Sequence, residues 1–134
     1  MLEPLEIVET KEFKNSTYEF RSDGITIIRV KDDSMIDMEE TRKEFDFMRT
    51  RSDYLPLVAI VHAGKNSNIT KEVREFLNTD EARSMIKAEA IITDSLAHKI
   101  LLNFIGKLYK HPVNLKMFTS SEEGERWLQQ YLEE

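Results

Sequence analysis

Apolar residues recur along this chain at two spacings, every second position and every third or fourth, and these spacings predict strands that alternate with helices. Residues 57–61 are five consecutive apolar side chains after Pro56, which indicates a central strand buried on both faces. Earlier apolar runs at residues 18–20 and 25–30 flank an Asp-Gly pair, a strong hairpin signal because glycine tolerates positive φ. Residues 1–16 are predicted to be an N-terminal extension or an edge strand.

Four segments carry the spacing of amphipathic helices. The first begins at a cap on Asp37, and the second begins near Thr70 and is interrupted at residues 78–80. The third spans residues 95–110, and the fourth follows Ser120. A short strand-like run precedes each of the last two helices. The chain therefore predicts a single α/β domain over residues 1–134, with a mixed sheet of about five strands and about four helices in the order β-β-α-β-α-β-α-β-α.

The amino-acid composition and net charge argue against some classes of binding partner. The chain has 134 residues and a net charge of −6, and its basic residues are scattered among acids rather than gathered in a patch. We therefore expect no nucleic-acid partner. The lack of cysteine, together with an acidic start that has no signal-peptide pattern, predicts a cytoplasmic protein. No apolar run approaches the roughly 20 residues of a membrane span, so no span is expected.

The loop at residues 62–70 is the best candidate for a ligand or regulatory site. Parallel α/β sheets place their ligands at the carboxyl ends of strands, where the next helices begin. The candidate residues of this loop are His62, Gly64, Ser67 and Thr70. A phosphate on Ser67 or Thr70 would be stabilised by a helix N-terminus. The simpler prediction is that Thr70 caps the second helix and that Ser67 is a loop hydroxyl.

Patterns for catalysis and metal binding are missing from the sequence. His62, His98 and His111 share no ligand spacing. Gly64 and the lysine after it lack the earlier glycine and the following Ser or Thr of a phosphate loop, and no serine lies in a Gly-x-Ser-x-Gly motif. We therefore predict no catalytic residues, no metal and no cofactor.

The third helix has an apolar arc of about 240°, wider than the stripe of about 100° that a core-facing side needs. The predicted core side comprises Leu96, Ala97, Ile100, Leu101, Phe104 and Leu108. Leu102 and Tyr109 extend the arc beside His98, and Phe47 lies opposite the apolar stripe of the first helix. Exposed apolar clusters mark interfaces, so these four residues are a candidate interface. Cover by neighbouring helices or by the N-terminal segment is an equal alternative.

Several segments, spread over about residues 18–132, together resemble the STAS superfamily, which has the anti-anti-sigma-factor fold. The likeness is closest to a bacterial branch of small, uncharacterised, SpoIIAA-like proteins. The segments that carry it are TKEVR at residues 70–74, AEAIITDS at 88–95, NF at 103–104, FTS at 118–120 and WL at 127–128. The resemblance implies a STAS-like sheet and action by binding. The regulated members carry an Asp-Ser-Ser-Gly-like phosphorylation motif in the loop before the second helix, and this chain lacks it.

Three functions follow as expectations. The leading one is a non-enzymatic binding or regulatory domain that acts through protein–protein contact, with another protein or with itself as a homodimer. The second is a carrier of a small molecule or lipid, with methionines such as Met38 and Met85 lining an apolar pocket. The third and weakest is an enzyme that uses His62 and the loop after it. A flat exposed patch favours the first, an enclosed apolar cavity the second, and a cleft converging on His62 the third.

Overall fold

The computed structural model describes residues 5–108 and 114–132, with backbone only at residues 104–108. The strands are β1 (Ile7–Glu12), β2 (Ser16–Arg21), β3 (Ile25–Val30), β4 (Met35–Ile36), β5 (Leu57–His62), β6 (Asn68–Ile69), β7 (Ile86–Ile92) and β8 (Asn114–Phe118). The helices are α1 (Met38–Arg49), α2 (Lys71–Leu77), α3 (Asp80–Ser84), α4 (Leu96–Leu108) and α5 (Ser121–Leu132). In this described part of the chain, every helix is too short or too polar to cross a bilayer.

One mixed sheet of six strands organises the fold, in the order β1-β2-β3-β5-β7-β8. Strands β1, β2 and β3 are antiparallel neighbours, whereas β3, β5, β7 and β8 are parallel to one another. A separate parallel pair, β4 and β6, connects the chain before α1 to the chain before α2. The predicted mixed α/β sheet is confirmed, with β1 as its edge strand.

The counts of strands and helices differ from the prediction for physical reasons. The two-residue strands β4 and β6 are too short to show a period in the sequence. The interruption at residues 78–80 divides the second predicted helix into α2 and α3, because Thr79 is extended and caps the new helix through its side chain. The described residues therefore hold five helices rather than about four.

The hairpin between β2 and β3 forms where the Asp-Gly pair predicts it. Gly24 has a φ of +100°, and its N–H donates to the carbonyl oxygen of Arg21 at 3.1 Å. The Asp23 carboxylate accepts a hydrogen bond from the backbone N–H of Ile25 at 3.2 Å. Arg21 also pairs with Asp23 at 2.8 Å and with Glu125 of α5, so the turn is connected to the last helix.

Strand β5 lies at the centre of the sheet and divides two cores. Its residues Val58 and Ile60 are buried in a core that includes Leu128 of α5. Leu57 and Ala59 are buried on the other face, in a core that includes Met48 of α1. The prediction of full burial is confirmed for residues 57–60. It is wrong for residue 61, a valine that is only half-buried because it borders a cavity.

The N-terminal hairpin packs against Phe47, which is half-buried rather than exposed, and an interface at this residue stays a prediction. The Phe47 ring is 5.9 Å from the ring of Phe13 and 5.9 Å from that of Phe20, both in edge-to-face geometry. The ammonium of Lys11 and the guanidinium of Arg51 also lie over the Phe47 ring. The N-terminal segment therefore covers part of this side chain, as the alternative expects.

Helix α4 presents a different face to the core from the one that hydropathy predicts. His98 is only 8% exposed, and Leu101 and Leu102 are half-buried. Leu96 and Ile100, assigned to the core side, are instead 70% and 61% exposed. His98 and Leu102 are therefore turned toward the protein rather than exposed, and an interface through them stays a prediction. The helix turns this way because His98 makes buried hydrogen bonds, and a hydropathy scale scores such a histidine as a solvent-facing residue.

Three further positions of that prediction lie outside what the structure describes. They are Tyr109 and the side chains of Phe104 and Leu108. Their assignment to an interface or a core stays a prediction. His111, considered above only as a metal ligand, also lies outside the described residues.

Candidate functional site

A cavity of about 230 Å³ lies between the sheet and the helices on the face opposite α5. Its lining comes from β2, β3, β5 and β7 below and from α1, α2 and α4 above. Most of the lining is aliphatic or aromatic. Lining residues include Tyr18, Ile28, Glu44, Met48, Val61, Val73, Leu77, Glu89, Ile91, Leu101 and Leu102. A cavity of roughly 150 Å³ with apolar walls is enough to bind benzene, so this one accepts a somewhat larger molecule.

The alternation of side chains along β5 and β7 builds the floor of the cavity. Val61 and Ile91 are paired in register, and both point away from the face that α5 covers. Glu89 is two residues before Ile91, so it lies on the same face and also lines the cavity. Its neighbour in register is Ala59, whose short side chain fills little of the space above the sheet.

Glu89 is the most unusual residue of the lining. Glu89 lines the cavity and is half-buried. Among the described residues, no side chain or backbone group donates a hydrogen bond to this carboxyl, and no cation pairs with it. Burial alone raises the pKa of Glu89 from 4.5 to about 7. The carboxyl is therefore available to a group that enters the cavity.

Glu44 of α1 is a second buried acid in the same lining. Its carboxylate accepts a hydrogen bond of 2.8 Å from the hydroxyl of Ser16. Burial raises the pKa of Glu44 to about 7, hydrogen bonds from Ser16 and Tyr18 oppose the rise, and the charge of Glu40 adds to it. Glu40 is buried as well and holds the backbone and side-chain amides of Asn15, at 2.9 and 2.8 Å. These acids anchor the β1–β2 turn to α1.

Tyr18 is a third polar residue of the cavity lining. Burial raises the pKa of Tyr18 well above its usual value, and the carboxyls of Glu44, Glu89 and Glu40 raise it further. The lining therefore contains a phenol and two carboxyls in otherwise apolar surroundings.

His98 fastens the loop after β5 to helix α4. Its Nε2 is 2.8 Å from the carbonyl oxygen of Ser67 and 3.2 Å from Ser67 Oγ, and its Nδ1 is 2.8 Å from Thr93 Oγ1. A carbonyl oxygen can only accept, so the geometry assigns the proton to Nε2, and Nδ1 accepts from Thr93. The Ser67 hydroxyl donates to the carbonyl oxygen of Gly64 at 2.6 Å. This arrangement favours a structural connection over a base that activates Ser67.

The other residues of the predicted loop site have separate roles. Thr70 caps α2, because its hydroxyl accepts from the backbone N–H of Val73 at 3.2 Å, and this prediction is confirmed. Gly64 lets the loop pass the end of β3, where a Cβ atom would lie 2.3 Å from the carbonyl oxygen of Lys31. Phosphorylation of Ser67 or Thr70 stays a prediction, and both hydroxyls are already engaged in hydrogen bonds.

His62 lies away from these residues. It alternates with Ile60 on the face of β5 that α5 covers, whereas the cavity is on the other face. Burial lowers the pKa of His62, the charge of Arg29 lowers it further, and Glu19 and Glu125 oppose this. The structure therefore brings Ser67 and His98 together but leaves His62 apart.

Glu89 and Glu44 are the two site residues that sequence reasoning missed. For Glu89 a signal was present, since a single acid in the apolar strand run AEAII must share a face with Ile91. Glu44 lies between Thr41 and Met48 in the helical phase of α1, and all three are buried. Sequence reasoning overlooked both acids because charged residues on such elements usually face water.

Comparisons with known proteins identify the fold. A family model described as "Domain of unknown function (DUF7793)" matches residues 18–132. A similar solved structure is an uncharacterised protein of the DUF3478 family, with a SpoIIAA-like fold, from Shewanella loihica PV-4. It is 12% identical, the superposition covers 96% of each chain, and the TM-score is 0.59. None of the curated proteins matches the sequence. The likeness at this identity concerns the fold, and the predicted STAS-like, SpoIIAA-like fold is confirmed.

Proposed function

We propose that this chain, which belongs to the DUF7793 family of domains of unknown function, binds a small and largely apolar molecule in the cavity beneath α1, α2 and α4. The observation that carries the proposal is the cavity of about 230 Å³ with apolar walls and a few convergent polar groups. Ligand sites in proteins share this description, and cores are otherwise packed with few voids larger than a water molecule.

The cavity supports a binding role more than it supports the other two expectations. Its apolar walls are those expected of a carrier or a ligand-sensing domain, and it is partly open rather than fully enclosed. His62, on which an enzyme would depend, lies on the opposite face of the sheet from the cavity. A cytoplasmic location stays a prediction from the lack of cysteine.

The test uses 2-phenylethanol, a compact neutral probe, added to protein with labelled methyl groups. We expect chemical-shift changes at the methyls of Val61, Ile91 and Leu102, which line the cavity. Val61→Phe fills part of the cavity and should abolish the changes. Leu96→Ala is the matched control, because Leu96 is 70% exposed on α4 and lies outside the lining. Shifts spread over the surface, or shifts unaffected by Val61→Phe, would contradict the proposal.

Protein–protein contact is a second candidate function, and the exposed face of α4 supports it. Leu96 and Ile100 are 70% and 61% exposed, and Ala97 between them is exposed as well. A homodimer would bury this apolar face symmetrically. Mass measurement in solution should give a dimer for the wild type and a folded monomer for Leu96→Lys with Ile100→Lys. A monomeric wild type would rule out this dimer.

A further inference from the structure

We infer that the molecule held in the cavity carries a protonated amine, which the carboxyls of Glu89 and Glu44 bind while its apolar body contacts the aliphatic wall. The inference rests on the proposed function and adds the chemical class of the ligand.

The charge of the lining is the first argument. Two carboxyls, Glu44 and Glu89, line the cavity, and the described part of the lining contains no lysine or arginine. An anionic ligand such as a fatty acid or a phosphate ester would place like charges together in a poorly solvated site. A cation is the complementary charge, and burying it beside a carboxylate avoids leaving either charge unpaired.

The missing partner of Glu89 is the second argument. Enclosed carboxyls in proteins are nearly always hydrogen-bonded, because an unpaired one loses its water without replacement. Glu44 fits this rule through Ser16, but no described residue donates to Glu89. A donor supplied by a ligand in the cavity would complete the site. Burial holds the pKa of Glu89 near 7, so a cation that arrives can draw the carboxyl into its ionised form.

The grouping of acceptors is the third argument. Tyr18 of β2 and Glu44 of α1 line the same cavity as Glu89 of β7, so three oxygen-bearing side chains border one space. A primary ammonium has three N–H donors and no acceptor, which suits such a set. The opposite walls are aliphatic, with Leu77 and Leu102 among them, and suit a compact apolar body. The volume of about 230 Å³ fits an aromatic ring with a short chain.

Three probes of nearly equal shape test the inference by calorimetric titration at pH 7.5. They are 2-phenylethylamine, 2-phenylethanol and phenylacetate, which differ mainly in charge. We expect the amine to bind at least about tenfold more tightly than the alcohol, because hydrogen bonds to charged groups contribute more than neutral ones. We expect no measurable binding of phenylacetate.

Glutamine variants show which carboxyls hold the amine. Glu89→Gln should remove most of the advantage of the amine over the alcohol, and Glu44→Gln should reduce it. Glu72→Gln is the matched control, because Glu72 is an exposed acid on α2 outside the cavity and its loss changes the net charge equally. Circular dichroism confirms that each variant is folded. The wild-type comparison of the three probes needs no variant at all.

The outcomes separate the two proposals. If the alcohol binds and the amine binds no more tightly, the ligand class is wrong while binding in the cavity stands. If the advantage of the amine survives in both Glu89→Gln and Glu44→Gln, these carboxyls do not hold it and the inference is wrong. Tightest binding by phenylacetate would also overturn it. If none of the three probes binds, the proposed function fails and the inference fails with it.

Discussion

At the scale of single residues, the protein has two carboxyls in the lining of an apolar cavity, one from α1 and one from β7. Burial raises the pKa values of Glu44 and Glu89 to about 7, above their ordinary value of 4.5. Such a group binds more protons in the folded state than in the unfolded state at intermediate pH. The free energy of unfolding that it contributes is therefore fully present below about pH 4.5 and is lost as the pH rises through 7.

The first prediction concerns Glu89→Gln, which removes one of these two titratable carboxyls. At pH 8 the variant should be more stable than the wild type by about 2–4 kcal/mol, since a shift of one pKa unit corresponds to about 1.4 kcal/mol. The difference should shrink toward pH 5, where the folded wild type keeps Glu89 protonated. Tyr18 and Glu44, which line the same cavity, keep titrating in both proteins. Urea denaturation at several pH values measures this, and a difference that is independent of pH contradicts it.

The second prediction concerns the hydrogen bonds of His98. His98→Leu keeps the size of the side chain but leaves the carbonyl oxygen of Ser67 and the hydroxyl of Thr93 without their partner. We expect a loss of about 1–3 kcal/mol in the free energy of unfolding, because these groups are partly or fully buried. Ser67→Ala, which removes only the hydroxyl, should cost less, about 0.5–1.5 kcal/mol. Equal stability of His98→Leu and wild type would show that His98 does not fasten the loop.

At the scale of elements, β5 shows how one strand serves a packed core on one face and a cavity on the other. Ile60→Ala should cost about 2–5 kcal/mol, because Ile60 is fully buried against the α5 side. Val61→Ala should cost only about 1 kcal/mol, because Val61 is half-buried and already borders empty space. Chemical denaturation of both variants gives the comparison. Similar costs at the two positions would argue against the cavity.

The elements also show what the sequence could predict. The hairpin at Gly24, the central strand β5 and the cap of α2 at Thr70 follow from local rules that depend on a few adjacent residues. The orientation of α4 did not follow, because it depends on a hydrogen bond between His98 and Ser67, which are 31 residues apart. Because the polar residue His98 lies on the core-facing side of α4, the apolar positions of the sequence indicate the wrong face. Leu96 was therefore assigned to the core, but it is exposed.

The candidate site was predicted only in part, for the same reason. The loop after β5 does border the cavity through Ser67, as the rule about strand ends suggests. Glu89 and Glu44 come from the middle of a strand and a helix, and only the packing of the whole chain shows that they line the same cavity. Their raised pKa values arise from burial, which one sequence alone does not reveal.

At the scale of the whole molecule, the two faces of the sheet are built differently. On the α5 face, small residues let the helix pack closely, and a Cβ atom on Gly124 would lie 2.8 Å from Ile92 and 3.2 Å from the Cβ of Ala90. On the other face, α1, α2 and α4 pack around the edge of a space that they do not fill. A packed core on one side of the sheet therefore stabilises a domain that keeps a cavity on the other side.

This asymmetry predicts a stabilising effect of ligand. A molecule that binds only the folded state raises the free energy of unfolding in proportion to the logarithm of its concentration above Kd. Adding 2-phenylethylamine at 100 times its Kd should stabilise the wild type by about 2.7 kcal/mol and leave Val61→Phe unchanged. Equal stabilisation of the two proteins would locate the binding elsewhere.

A structure of the protein with 2-phenylethylamine bound tests the account most directly. The account predicts that the ring contacts Val61 and Ile91 inside the cavity and that the nitrogen lies about 3 Å from a carboxylate oxygen of Glu89. A probe bound on the outer surface, or one inside the cavity with its nitrogen turned away from both Glu89 and Glu44, would contradict it.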